Sequence, residues 1–182
     1  TAFVKILEKF LHKDLLTNLD TAVKEGLLDK KDGRYHFSHD RIQEAAYNMM
    51  TLHGRRLFHF SYGMALAPLA AEEGDDSLLL TAVNQLNLAG PEGVQEESQN
   101  VIVADLNLQA GKKSMEMSDF VVAYSYFDNG ITFLRKKHWD EHYTLSLELF
   151  DLAAKCALAN GDVVSLTLLY EQVNSYGRSY ED

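Results

Sequence analysis

From Asp40 to the end of the chain, apolar residues recur at helical spacing. Short polar stretches interrupt them, among which are Glu73-Gly74-Asp75-Asp76, Gly90-Pro91-Glu92-Gly93, Ser118-Asp119 and Asn160-Gly161-Asp162. Connections this brief force consecutive helices to lie antiparallel, which restricts the chain to stacked helical hairpins. The spacing predicts helices at Ile42 to Met50 and at 53–72, 77–89, 97–117, 119–135, 139–159 and 162–175.

The last four of these read as two copies of one unit, 43 residues apart. Ala110, Ser114, Met115, Asp119, Phe120, Val121, Tyr126 and Phe127 align with Ala153, Ala157, Leu158, Asp162, Val163, Val164, Leu169 and Tyr170. In each copy a long helix ends in small residues, turns a polar corner and meets a helix rich in aromatic and aliphatic residues. Small residues on one helix let large ones on its partner approach closely, which is the packing logic of a tetratricopeptide-like α-solenoid.

The leading third has a different pattern. Phe3, Ile6, Leu7, Phe10 and Leu11 form one apolar stripe, and Leu15, Leu16, Leu19, Ala22 and Val23 form a second that ends at Gly26. Leu27 and Leu28 begin an extended segment that can pair with Tyr35 to Phe37 across a charged turn, Asp29 to Gly33, in which Asp32-Gly33 is the strongest hairpin signal. At Asp40 the period changes to helical, with Asp40 as the expected N-cap and Gln43 as its capping-box partner. Two helices followed by a hairpin are the working part of a winged helix, whose opening helix is expected upstream of Thr1. The fold expected is therefore mainly α: a partial winged helix at 1–52, a connecting helical hairpin at 53–95, and two tetratricopeptide-like hairpins at 96–182.

Composition narrows the function classes. A chain of 182 residues, 46% hydrophobic, can bury a real core. The longest uncharged apolar run, Gly63 to Ala71, is about half the roughly 18 residues a membrane span needs, and no membrane partner is expected. The start at Thr1, without a signal-peptide pattern, is read as a cut inside a longer protein. The single cysteine, Cys156, fits a packed thiol in a reducing cytoplasm. The net charge of −10 is uneven: residues 1–60 carry ten Lys/Arg against eight Asp/Glu, and the rest carry seven against nineteen. So acidic a second part argues against a nucleic-acid partner. A winged-helix DNA-binding role through Asp14 to Gly26 is the weakest reading, because Lys24 faces Asp14, Asp20 and Glu25 there.

Several segments together resemble a known family: FSHDRIQEAAY (37–47), RRLFHFSYGMAL (55–66), NQLNLAG (84–90), LNLQAGKKS (106–114), and Trp139 with Tyr143 ahead of LELFDLAAKCALANGD. They are similar to the signalling ATPase region of large multidomain sensor kinases, where a STAND-class ATPase module precedes a winged helix and tetratricopeptide-like helices. In that family these are flanked by a Ser/Thr kinase, a GAF domain or a histidine kinase. Ser38-His39-Asp40 resembles the Met-His-Asp signature of related STAND proteins, with Ser38 in place of the Met. The resemblance implies that His39 senses the phosphate of ADP held by a neighbouring ATPase module, and that Asp40 supports the turn. An imidazole can donate to a phosphate oxygen, whose charge favours its protonated form.

Other patterns carry less. No stretch fits the phosphate-wrapping G-x-x-x-x-G-K-[ST]; Gly111-Lys112-Lys113 comes nearest but lies in a helical setting. His138-Trp139-Asp140-Glu141-His142 matches H-x-x-E-H formally, without an evident third ligand, and reads as a polar helix entry with Trp139 and Tyr143 packed on neighbours. Adjacent Ser38, His39 and Asp40 cannot converge as a catalytic triad, because neighbouring side chains on extended backbone point apart. Phe58, Phe60, Tyr62, Tyr124, Tyr126 and Phe127 read as packing groups.

The resulting expectation is a non-catalytic regulatory and protein-interaction segment of a larger ATPase or sensor kinase. It holds no metal and no cofactor of its own, with ATP or ADP and Mg bound by the parent module. The expected partners are the intramolecular ATPase and kinase domains and a protein or peptide on the repeats. An autonomous peptide-binding scaffold is the main alternative.

Overall fold

The computed structural model describes residues 14–94, 96–135 and 138–176. The stripe from Phe3 to Leu11 lies outside the described residues. The protein is mainly α, with a single two-stranded antiparallel sheet among the described residues. Helix α1 (Leu15–Lys24) leads into β1 (Leu28–Lys31), β2 (Arg34–Phe37) and α2 (Asp40–Met49). Helices α3 (Leu52–Glu73), α4 (Asp76–Ala89), α5 (Glu97–Glu116), α6 (Phe120–Leu134), α7 (His138–Glu141), α8 (Tyr143–Ala159) and α9 (Val163–Tyr176) follow, with a 3-10 turn at Pro91–Gly93.

The leading elements are placed by polar contacts. Asp14 caps α1 by accepting from the Thr17 N–H at 3.1 Å. Leu28 pairs with Phe37 and Lys31 with Arg34, so the strands run through the charged residues and the turn narrows to Asp32-Gly33. Both turn residues have positive φ, 51° and 72°, as a two-residue hairpin requires. Charge does not break the pairing because the side chains stay in solvent or find partners: the Asp20 carboxylate on α1 accepts from Lys30 Nζ and from the Tyr35 hydroxyl, each at 2.8 Å. Lys30 first, then Tyr35, hold that carboxyl below its ordinary pKa.

The start of α2 differs from the capping box expected at Asp40 and Gln43. His39 occupies the cap in extended conformation, its carbonyl accepting from Ile42 N–H at 2.9 Å, and no side chain caps the helix. Asp40 is already in the first turn, where its carboxylate suits the positive end of the helix dipole.

The remaining helices form three hairpins, α3/α4, α5/α6 and α8/α9, and each turns the same corner. The Asp119 N–H bonds to the Ser114 carbonyl at 2.9 Å, and 43 residues on the Asp162 N–H bonds to that of Ala157 at 2.9 Å. Asp75 does the same to Ala70 at 3.1 Å, 44 residues upstream of Asp119, so the corner occurs a third time. Before each aspartate stands a residue with positive φ: Gly74 at 64°, Ser118 at 61° and Gly161 at 72°. Each aspartate then caps the second helix, accepting from Leu78, Val122 and Ser165 N–H respectively.

One core runs through the hairpins, with Leu86, Val103, Ala104, Ala123, Phe127, Leu149, Ala153 and Cys156 shut off from solvent. Gly63, Gly111 and Gly130 all permit close approaches between helices. A Cβ at Gly111 would collide with the Phe127 ring, and one at Gly130 would lie 2.8 Å from Leu149 Cδ2. Burial pushes the Cys156 thiol pKa up, which leaves it a packing group.

Candidate functional site

Two surfaces bear groups that could act on something outside the chain. The first is the corner between β2 and α2. Ser38 fixes it, its hydroxyl 2.8 Å from the Gly26 carbonyl and 3.1 Å from that of Leu27, while its N–H bonds to the Leu27 carbonyl at 3.2 Å. These bonds tie the end of the hairpin to the end of α1. His39 and Asp40 follow immediately, both exposed, and neither has a side-chain hydrogen-bond partner among the described residues. The structure thus places the two expected site residues side by side on the surface, and the bonds bracing the turn come from Ser38.

Helix α2 carries this corner to the repeats. The Tyr47 hydroxyl lies 3.0 Å from His59 Nε2 on α3, and His59 Nδ1 lies 2.7 Å from Gln85 Oε1 on α4. The amide oxygen can only accept, so Nδ1 holds the proton and Nε2 accepts from Tyr47. Arg55 stacks over the Tyr47 ring at 4.4 Å and donates to the Tyr47 carbonyl at 3.0 Å and to Asn48 Oδ1 at 3.1 Å. His59 is buried, while Tyr47 is exposed and Gln85 half-buried, so the connection has a shielded centre and solvent-facing ends.

The second surface is a trough between α4 and α6 of about 550 Å³, lined by Asn84, Asn87, Leu88, Val122, Ser125, Tyr126 and Asn129. Asn87 exchanges a reciprocal pair of 2.9 Å bonds with Asn107 of α5, which also donates to the Val103 carbonyl. The Tyr126 hydroxyl donates to Asn84 Oδ1 at 2.9 Å, and Asn129 Nδ2 donates to the Ser125 carbonyl at 2.7 Å. Nothing in the sequence pattern marked these asparagines, because each partner lies on another helix or is a backbone carbonyl.

The remaining motifs are absorbed by packing. His138 Nδ1 and the His142 carbonyl each lie 2.9 Å from Ser146 Oγ, and His138 stacks on Phe150. Trp139 packs against Tyr143, Phe150 and Tyr176. Among the described residues no three His, Cys, Asp or Glu side chains gather to hold a metal. Lys112 pairs with Glu148 at 2.6 Å, and Lys113 pairs with Asp76 and Glu116. No helix among the described residues is long and apolar enough to cross a membrane.

Comparison with known proteins gives one informative likeness. The chain is 24% identical over 141 residues to a hybrid signal transduction histidine kinase, kinase G, of Dictyostelium discoideum. The match covers 64% of this chain and 4% of that kinase, so the chain corresponds to a small part of the relative's length. No protein-family profile and no solved structure matches the chain.

Proposed function

We propose that this chain is a non-catalytic regulatory segment of a larger signalling protein, in which the corner at His39 reports on a nucleotide-binding module and the hairpins carry that state onward. The observation that supports the reading most is the hydrogen-bonded line from Tyr47 through His59 to Gln85, which couples the helix behind the corner to the first hairpin. The likeness to a segment of a histidine kinase supplies the signalling context. In this reading a STAND-type ATPase module binds ADP or ATP with Mg. The leading residues act as its winged helix, His39 contacts the nucleotide phosphate, and Asp40 lies beside it. The tetratricopeptide-like hairpins meet the kinase domain or a protein ligand, in the cytoplasm.

A state can be passed on only if the two arrangements differ in their contacts to nucleotide. In the intact protein, His39→Ala is expected to weaken ADP affinity about tenfold, the loss of one charge-assisted hydrogen bond. His59→Leu is expected to leave ADP affinity near its wild-type value while uncoupling output from nucleotide. ADP titration and output assays on the intact protein test both. Unchanged affinity and unchanged basal activity in His39→Ala would remove the sensor role.

A further inference from the structure

Where α5 starts, α6 ends and α7 runs into α8, the chain forms a cleft of about 410 Å³ whose lining includes Glu97, Asn100, Val101, Leu134, Arg135 and Glu141. Two unusual local features meet there. Asn100 is 3% exposed, yet its Oδ1 has no hydrogen-bond partner, and native interiors rarely leave an acceptor bare. Arg135 holds φ 56° and ψ −151°, a backbone conformation that glycine alone enters cheaply. An apolar side chain of similar shape would fill the Asn100 position at no cost in unmade bonds, so packing gives no reason for the amide. A ligand in the cleft does give one, because the carboxamide turns about a soft torsion and can offer its oxygen there.

Charge selects the chemistry of that ligand. Glu97 and Glu141 are exposed, and neither carboxylate has an ion-pair partner among the described residues. The guanidinium of Arg135 is committed to the Pro91 carbonyl, 2.5 Å away. The unspent charges are therefore negative, and an anion would be repelled. No Phe, Tyr or Trp lines the cleft to stack a sugar or nucleobase. Among the described residues no three His, Cys, Asp or Glu side chains gather, so the two carboxylates do not form a cage around one metal ion. Two ammonium groups joined by methylenes can answer both carboxylates, and Val101 and Leu134 give the methylenes an apolar wall.

We propose that this cleft binds a short aliphatic diamine. One ammonium donates to Asn100 Oδ1 and pairs with Glu97, its neighbour three residues away on the same face of α5, while the other pairs with Glu141 at the end of α7. The bound diamine bridges the second hairpin to the third, an input separate from the nucleotide corner.

Calorimetric titration of the 182-residue chain with putrescine and with n-butylamine at low salt tests it. Putrescine should bind saturably, and n-butylamine about three- to fivefold more weakly, the worth of one exposed ion pair. Asn100→Leu should weaken putrescine at least about tenfold while the thermal midpoint of the free protein holds or rises. Glu141→Gln, at an exposed position that leaves the fold intact, should weaken it about three- to fivefold. Unchanged affinity in both variants would mean diffuse attraction to an acidic chain and would overturn the site. A lower midpoint in Asn100→Leu would return the amide to the fold and overturn the argument from its bare acceptor. Equal affinity for n-butylamine would overturn the diamine, and no saturable binding of putrescine below about 10 mM would overturn the proposal whole.

Discussion

Residues 14–50 and the three hairpins after them are held together in different ways. Among the described residues of the leading part only Leu28 is buried; α1 and α2 bury nothing completely. Its shape comes from directed polar bonds: Asp20 to Lys30 and Tyr35, and Ser38 to the end of α1. The hairpins instead interlock by volume, with Phe127 seated on Gly111 and Leu149 on Gly130. A region built from directed bonds aims side chains accurately without hiding them, which suits a contact corner. It also gains little hydrophobic stabilisation, and a two-stranded hairpin is marginal by itself in water.

The largest expected effect tests that contrast directly. Phe127→Ala removes a ring with no exposure from the tightest packing in the protein and should cost about 3–5 kcal/mol in denaturant unfolding. Phe37→Ala removes a ring that is 43% exposed and should cost about 1 kcal/mol or less. Equal losses would mean that the leading residues possess a core of their own, and the contrast would fall.

Much of this division was legible in the residues. Asp119 and Asp162 announced the repeated corner because a short carboxylate at a helix start acts locally. Asp32-Gly33 announced the hairpin for a similar reason, since positive φ at both positions is set by the turn itself. The third corner at Asp75 was harder to see, because its spacing is 44 where the other is 43 and Leu66 stands where the later copies have Ala110 and Ala153. At the leading corner His39 and Asp40 were readable, but the brace was not: Ser38 bonds to carbonyls 11 and 12 residues away. The trough was invisible for the same reason, since Asn84 meets Tyr126 across 42 residues.

A middle-sized effect separates the brace from the residues it presents. Ser38→Ala removes the hydroxyl bonds to Gly26 and Leu27 and should cost about 1 kcal/mol, the usual net value of a neutral hydrogen bond. The loss should be local: amide hydrogen exchange should quicken in β1 and β2 and stay unchanged in α5 and α6. Faster exchange throughout α5 and α6 would show that the corner and the hairpins unfold as one unit, which sharpens the contrast into a purely geometric one.

The smallest effect concerns acid, and it should arise in the hairpins. His138, between Trp139 and Phe150, has its imidazole pKa lowered below the ordinary 6.5, first by desolvation of the charged form and second by repulsion from His142. The folded chain therefore takes up this proton less readily than the unfolded one. Stability is intact above about pH 6.5 and is lost as the pH falls from there through the lowered folded value. The Asp128 carboxyl, pushed up by desolvation, has the opposite sign: the folded state binds its proton more readily, so it opposes the loss further into acid. Thermal midpoints at about pH 7.5 and pH 5.5 bracket the histidine step. Wild type should lose more between them than His138→Asn, which keeps an amide donor near Ser146 without an ionisable ring. A wild-type midpoint that rises on acidification relative to the variant would mean that the imidazolium gains an anionic partner on folding, with Glu141 the neighbour to examine.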